Sequence, residues 1–167
     1  AMVAQGAIVE AVLAKGGFAH GFTYAGNPLA CATGLAVIAE IERQGMMENA
    51  ASTGGMLMRQ MQGLMARFPF IGEVRGMGML LAMELVADRD SKAPLPAGLK
   101  AFDRLTEQAY ARGLIIYPRR SRGGYSGDHV LVAPPMITTP AQVGEIMERL
   151  EGALVAFAVE CGLEYDA

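Results

Sequence analysis

Apolar residues recur every three or four positions in five stretches of the chain, and glycine or proline bounds most of these stretches. This spacing places the apolar side chains on one face of a helix. The pattern predicts helices at 2–14, 28–43, 47–66, 98–112 and from Pro140 onward. Gly16 and Gly113 follow the first and fourth stretches, where a glycine can end a helix in the left-handed conformation.

Four of the helices carry apolar stripes that predict a face packed against a core. In the helix at 98–112 the predicted inner residues are Leu99, Phe102, Leu105 and Ala109. In the helix at 28–43 the predicted inner residues are Leu29, Ala32, Leu35, Ala36, Ile38 and Ala39. In the helix at 47–66 they are Met47, Ala50, Gly54, Leu57, Met58, Met61, Leu64 and Met65. In the last helix they are Val143, Ile146, Met147, Leu150, Leu154 and Phe157. Methionine fills irregular gaps in cores, so we interpret the methionine stripe as packing.

Strand signals lie between the helices. Residues 73–86 are mostly apolar at both alternating sets of positions, which is typical of a strand covered on both faces. Apolar runs at 114–117 and 130–133 predict two short strands, and Thr139 begins a capping box that opens the last helix. This order of helices and strands predicts an α/β or α+β domain.

The stretch HGFTYAGNPLACATG, residues 20–34, combines a helix start with groups that suit an anion. Asn27 can accept a hydrogen bond from the first helical turn, and Pro28 has its φ preset for the first helical position. Before this cap, Thr23 offers a hydroxyl beside free backbone amides, a suitable cradle for an anion. The alternative is a glycine-rich turn that only leads into the helix.

The same stretch, extended to HGFTYAGNPLACATGLAVI, resembles a motif of the class III, or omega-type, pyridoxal-phosphate (PLP) aminotransferases. Further matches follow in the family's order: EVRGMGMLLAMEL at 73–85, RGLIIYP at 112–118 and GDHVLVAPPMITTPAQV at 127–143. The resemblance implies a homodimeric fold-type-I transaminase of which this chain is the C-terminal portion. The implied organisation is the end of the large cofactor domain at 1–27, connecting helices at 28–66 and a small α/β domain at 67–167.

The resemblance also implies roles for individual residues. Thr23 would donate its hydroxyl to the phosphate of the neighbouring subunit's PLP, and Phe22 and Thr23 would add backbone amide contacts. The family's Schiff-base lysine would precede Ala1, so no catalytic residue is expected in this segment. Lys15 is the lysine nearest the motif, but its place at a helix end favours a solvated cation. The implied reaction is a ping-pong exchange of an amino group between an amine or amino acid and a keto acid such as pyruvate.

The segment PRRSRGGYSGDH, residues 118–129, places three arginines in a glycine-rich loop. Guanidinium groups match carboxylates in geometry, so the loop predicts a substrate-carboxylate contact, with Arg122 the first candidate and Arg120 the second. The alternative is a solvated basic loop. Family members that hold an arginine on the strand before Pro-Pro would have it at Leu131, so this chain suits the type that uses a loop arginine.

Three further polar residues are expected to have structural roles. His20 precedes the glycine turn and is expected to shape it by hydrogen bonding. His129 is expected to be structural, with Asp128 fixing its tautomer. Arg75 is expected to be a structural hydrogen-bond donor. Histidine, cysteine and carboxylate residues show no metal-ligand spacing.

Composition narrows the class of protein. The 167 residues carry a net charge of −3 with both signs dispersed, which favours neither nucleic acid nor an anionic membrane as partner. Neither a membrane span nor a signal peptide is evident, and two distant cysteines suit a reducing compartment, so a cytoplasmic protein is expected. Twelve methionines and a start in mid-pattern predict a surface covered by another segment or subunit.

Two other functional hypotheses remain open from the sequence. A non-catalytic α+β module that binds a small ligand or forms dimers would explain why no Schiff-base lysine is evident. Other class III PLP chemistry, such as that of an aminomutase or decarboxylase, would use the same motifs.

Overall fold

A computed structural model describes residues 3–19, 21–121 and 126–166. The chain forms two compact units, residues 1–41 and residues 42–167. The elements in chain order are α1 (Gly6–Leu13), α2 (Pro28–Arg43), α3 (Met46–Gly63), β1 (Ile71–Met77), β2 (Leu80–Asp88), β3 (Ala93–Pro94), α4 (Ala101–Tyr110), β4 (Tyr117–Ser121), β5 (Ser126–Val132) and α5 (Pro140–Cys161). Single 3-10 turns, Leu64–Ala66 and Ala97–Leu99, follow α3 and precede α4.

The first unit contains α1 and most of α2, and neither helix contains a buried residue. The predicted inner face of α2 is therefore wrong for this chain: Leu29 is 77% exposed and Leu35 is 69% exposed. The physical reason is size, since one short and one medium helix cannot enclose a core by themselves. The apolar face of α2 exists as predicted, but it is uncovered here.

The second unit is built on an antiparallel sheet in the order β1-β2-β5-β4, with β3 paired to β2. Alternate residues of β2, namely Leu81, Met83 and Leu85, are buried. They belong to one core with apolar residues of α3, α4 and α5. The predicted stripes of α3 and α5 supply most of the helical part of that core; Met47, 64% exposed, is a wrong prediction because it lies in the first turn of α3. The α/β class is confirmed.

The single strand predicted over 73–86 is wrong, because the segment forms the β1–β2 hairpin. Met77 pairs with Leu80, and Gly78 and Met79 form the connection between the strands. Gly78 has φ +56°, a conformation that glycine adopts without strain. The sheet is also not covered on both faces, since Met77 is 87% exposed and Leu80 is 62% exposed.

The strand predicted at 114–117 begins later than expected. Leu114 and Ile116 are buried but lie outside the sheet, and β4 runs from Tyr117 to Ser121 into the segment expected to be a loop. It pairs with β5, which begins at Ser126. Cross-strand pairing therefore extends through most of the arginine-rich segment.

Candidate functional site

Local hydrogen bonds set the start of α2 as the sequence predicts. The side-chain oxygen of Asn27 accepts from the amide of Ala30 at 3.1 Å, and its carbonyl accepts from the amide of Cys31 at 2.9 Å. Pro28 occupies the first helical position. Asn27 therefore caps the helix, and the chain before it is free to form a separate turn.

That turn comprises Phe22–Gly26 and presents Thr23 to solvent. The amide of Ala25 donates to the carbonyl of Phe22 at 2.9 Å, and the amide of Asn27 donates to the carbonyl of Tyr24 at 3.1 Å. Gly26 has φ +74°, which allows the chain to turn into the cap. Phe22 is 77% exposed and Tyr24 is 84% exposed.

Thr23 has two hydrogen-bond donors, its hydroxyl and its backbone amide. Neither its hydroxyl nor its backbone amide makes a hydrogen bond within the described part of the chain. The residue is exposed and lies four positions before the cap of a 16-residue helix. Such a hydroxyl and amide suit a phosphate oxygen, which accepts several short hydrogen bonds. The assignment of Thr23 to a phosphate stays a prediction.

Three other residues that the sequence analysis singled out, His20, Gly16 and Lys15, lie near this turn in the sequence. His20 lies outside the described residues. Helix α1 runs to Leu13, and Gly16 ends it as predicted: the amide of Gly16 donates to the carbonyl of Leu13 at 3.2 Å, and the amide of Gly17 donates to the carbonyl of Val12 at 3.1 Å. The positive φ of Gly16, +110°, suits this C-terminal glycine position. Lys15 is exposed at the same helix end. This exposed position differs from the enclosed setting that is typical of a Schiff-base lysine.

The arginine hairpin contains an internal ion pair. Arg120 Nε donates to Asp128 Oδ1 at 2.6 Å, and Arg120 Nη2 donates to Asp128 Oδ2 at 3.2 Å. The Asp128 side chain is only 4% exposed and that of Arg120 is 14% exposed. The hydrogen bond to Asp128 raises the pKa of Arg120 above its ordinary value. Arg122 lies outside the described residues, and the substrate role of both arginines stays a prediction.

Asp128 is therefore not the partner of His129, as the sequence analysis expected. His129 Nδ1 lies 2.9 Å from the carbonyl oxygen of Gly127, which can only accept, so this nitrogen carries the proton. The reason is strand geometry, since Asp128 and His129 point to opposite faces of β5. The Arg120–Asp128 pair depends on the register of β4 against β5, which the sequence analysis did not predict because it interpreted this segment as a loop.

Arg75 lies on the more exposed face of the sheet. Its Nη1 atom is 2.9 Å from Glu73 Oε2 and 2.8 Å from Glu84 Oε2. The hydrogen bond to Glu84 is the main cause that raises the pKa of Arg75. These contacts agree with the structural role expected for Arg75.

The described ranges contain no group of three or more histidine, cysteine or carboxylate residues able to hold a metal ion. They also contain no helix that combines the length and the apolar composition required to cross a bilayer.

Comparison with known proteins gives a consistent picture. The family model described as aminotransferase class-III matches residues 1–154. The diaminobutyrate–2-oxoglutarate transaminase of Halomonas elongata is 40% identical over 139 residues, which are 83% of this chain and 29% of that protein. The chain therefore spans under a third of that relative.

Two solved structures share the fold. The PLP-bound amine transaminase of an uncultivated Pseudomonas species is 32% identical with a TM-score of 0.73, covering 83% of this chain and 30% of that one. The PMP-bound aminotransferase of Vibrio fluvialis is 33% identical with a TM-score of 0.75, covering 91% of this chain and 32% of that one.

Proposed function

The chain belongs to the class III aminotransferases, and we propose that the protein it comes from is a PLP-dependent transaminase. It would move an amino group from an amine or amino acid to a keto acid such as pyruvate, in a ping-pong sequence. The observation that carries the proposal is the exposed Thr23 turn, found within a segment that the family model matches. The relatives' cofactor-bound forms support the choice of PLP.

The residues present fit the phosphate end of the cofactor. Thr23 has an exposed hydroxyl and an amide without internal partners in the described ranges, and the amide of Phe22 lies next in the chain. We assign the phosphate contact to the Thr23 hydroxyl, with backbone amides of Phe22 and Thr23 beside it. A hydrogen bond to a charged phosphate is worth about 1.5–3 kcal/mol.

When bound, PLP supplies an electron sink for the transfer, and the protein's part is to bind and orient. The residue that holds the cofactor covalently is proposed to lie outside these 167 residues. The lysines of this chain support that view: Lys15, Lys92 and Lys100 are all exposed, and none lies in an enclosed pocket. The purified 167-residue chain is therefore not expected to catalyse transamination.

We also propose that the protein is a homodimer in which Thr23 reaches the cofactor of the neighbouring subunit. The support is the exposed apolar surface of residues 1–41, which a second subunit can cover. Its exposed large hydrophobic residues include Val3, Ile8, Leu13, Phe18, Phe22, Tyr24, Leu29, Leu35, Val37 and Ile38. A cytoplasmic location completes the proposal, supported by two free thiols, Cys31 and Cys161.

The substrate class is proposed from the arginine hairpin. Arg122 is assigned to the carboxylate of the keto acid, since guanidinium groups bind carboxylates through paired donors. The names of the relatives agree with an amino-group acceptor of this kind, because the Halomonas elongata protein is a 2-oxoglutarate transaminase. The amine donor is left as a class, amine or amino acid.

The proposal is tested on the full-length protein by borohydride reduction followed by denatured mass measurement. Reduction makes a PLP–lysine linkage permanent, so the mass reports whether one cofactor is attached per chain. Peptide mapping should then place the linkage outside residues 1–167. A second experiment mixes the unreduced protein with an amine and follows the PLP absorbance, which should change and return on addition of pyruvate. A protein that carries no cofactor, or whose cofactor is unaffected by amines, would contradict the proposal.

A further inference from the structure

The Arg120–Asp128 pair lies at the end of the β4–β5 hairpin. The two residues are directly opposite in the strand register, and the next pair, Ser121 with Ser126, is displaced by a register shift. The pair is thus the last regular rung of the ladder before the connection between the strands. Both side chains are largely enclosed, with 4% of Asp128 and 14% of Arg120 exposed.

Arg120 also joins the hairpin to a different part of the fold. Its Nη2 atom donates to the carbonyl of Ala97 at 3.3 Å, in the 3-10 turn that precedes α4. Its guanidinium carbon lies 4.5 Å from the centroid of the Phe102 ring in the first turn of α4. A planar guanidinium can make an in-plane ion pair and a stacking contact at the same time, which an ammonium cannot.

This geometry occupies the donors that a substrate carboxylate would need. Nε and Nη2, two neighbouring donors of the guanidinium fork, both lie on the carboxylate of Asp128. A substrate that took this arginine would leave the Asp128 carboxylate enclosed and without its charge partner, which is strongly unfavourable. Direct recognition of substrate by Arg120 therefore competes with an internal carboxylate at close range.

From these contacts we propose that Arg120 is a positioning residue for keto-acid binding: held by Asp128, Ala97 and Phe102, it fixes β4 and β5 against the start of α4, and this arrangement supports the affinity for the keto-acid carboxylate. The proposal rests on the proposed transaminase function and refines one part of it. It assigns Arg120 an indirect effect on keto-acid affinity and assigns Asp128 the same effect in the same direction.

A positioning role and a direct substrate contact by Arg120 predict opposite changes in the KM for pyruvate when Asp128→Asn is made in the full-length enzyme. Under positioning, Asp128→Asn and Arg120→Met both raise the KM for pyruvate, by about tenfold, the equivalent of one charge-assisted hydrogen bond. The KM for pyruvate of the double variant is no higher than that of the poorer single variant, because each substitution alone already breaks the Arg120–Asp128 pair. The KM for butanal, an acceptor without a carboxylate, and the kcat stay within about twofold. If Arg120 contacts the substrate directly, Asp128→Asn frees the guanidinium and lowers the KM for pyruvate, which overturns the proposal.

Hydrogen exchange without substrate gives a readout that does not depend on turnover. Peptides covering β4 and β5 are expected to exchange faster in Asp128→Asn and in Arg120→Met than in the parent protein. Arg122→Met is the matched control and is expected to leave their exchange unchanged. Unchanged exchange in both variants of the pair would overturn the positioning role, whether or not the protein is a transaminase.

A conservative variant guards against a loss of folding. Arg120→Lys keeps the charge but loses the fork and the stacking contact, so both its KM for pyruvate and its exchange are expected between those of the parent and Arg120→Met. Full recovery by lysine would show that charge alone suffices and would contradict the proposal. A parent protein with no transaminase activity would instead refute the proposed function, and the exchange result would still decide the role of Arg120.

Discussion

The carbonyl oxygen of Gly78 lies directly against the Cα of Gly54, so that a Cβ on Gly54 would be only 2.2 Å from that oxygen. Gly54 is a buried residue in the middle of α3, and Gly78 is the first residue of the turn between β1 and β2. Helix and turn therefore meet backbone to backbone. This contact sets how closely α3 can approach the hairpin.

Gly54→Ala is expected to destabilise the chain, although alanine normally stabilises a helix relative to glycine by about 0.5–1 kcal/mol. The added methyl group meets a backbone carbonyl that cannot rotate away, and overpacking of this kind costs about 1–3 kcal/mol. Gly55→Ala is the matched control, since its Cβ would meet only the flexible end of Arg59 at 3.5 Å. Thermal unfolding should show a lower midpoint for Gly54→Ala and an equal or higher one for Gly55→Ala. Equal midpoints for both variants would show that α3 can move away at little cost.

Arg89 holds together the connection between α3 and β1 by donating to backbone carbonyls. Its Nε donates to the carbonyl of Ile71 at 3.1 Å. Its Nη2 lies within hydrogen-bond distance of three more carbonyls, those of Met65 (2.8 Å), Phe68 (3.2 Å) and Pro69 (3.4 Å). The fork of the guanidinium suits this set, because it presents several donors at fixed angles.

Arg89→Met is expected to lower the free energy of unfolding by about 1.5–3 kcal/mol, the range for hydrogen bonds to a charged group. Arg89→Lys should recover less than half of the lost stability, because a single ammonium cannot reach both the Ile71 carbonyl and the group of carbonyls around Nη2. Arg59→Met, an exposed change on α3, serves as the control and should stay within about 0.5 kcal/mol of the parent. Urea unfolding measures all three. Full recovery by lysine would mean that charge, and not the fork, provides the stabilisation.

Cys161 should react slowly with alkylating agents. Burial raises the pKa of its thiol above the ordinary value of 9.0, a shift that the nearby Arg104 only partly opposes. Less thiolate is then present near neutral pH, and thiolate is the reactive form. In the purified chain at about pH 8, exposed Cys31 should be alkylated before half-buried Cys161, as followed by peptide mass measurement. In denaturant the two rates should converge; faster labelling of folded Cys161 would contradict the burial of its thiol.

The same shift has a consequence for stability. The folded chain keeps the Cys161 proton to a higher pH than the unfolded chain does, so unfolding releases a proton above about pH 9. The contribution of the neutral thiol is complete below pH 9 and is lost as the pH rises through the raised pKa. Cys161→Ser should reduce this alkaline loss of stability.

Helix ends could be predicted from the sequence wherever a local hydrogen bond determines them. Asn27 caps α2, and the capping box of Thr139 and Gln142 begins α5, both at the predicted positions. Gly113, with φ +73°, ends α4 through a bond from the amide of Leu114 to the carbonyl of Ala109, as a C-terminal glycine should. Each of these signals acts within about five residues along the chain.

Features that depend on distant contacts could not be predicted in this way. Residues 73–86 look like one strand because both faces of the hairpin are rich in apolar residues, and the turn at Gly78 becomes evident only through its contact with Gly54. By contrast, the exposed Thr23 turn depends on local hydrogen bonds and follows from its own short motif. The partner of Arg120 follows only from the register that pairs β4 with β5.

Thr23 is proposed to bind the phosphate of PLP, and the dissociation constant of PLP from the full-length protein tests this assignment most directly. The parent, Thr23→Ser and Thr23→Ala should be compared by equilibrium titration. Thr23→Ala should weaken binding by about ten- to a hundredfold, since the lost hydrogen bond is worth about 1.5–3 kcal/mol. Thr23→Ser keeps the hydroxyl and should bind within a few-fold of the parent. An unchanged dissociation constant for Thr23→Ala would contradict the assignment of Thr23 to the cofactor.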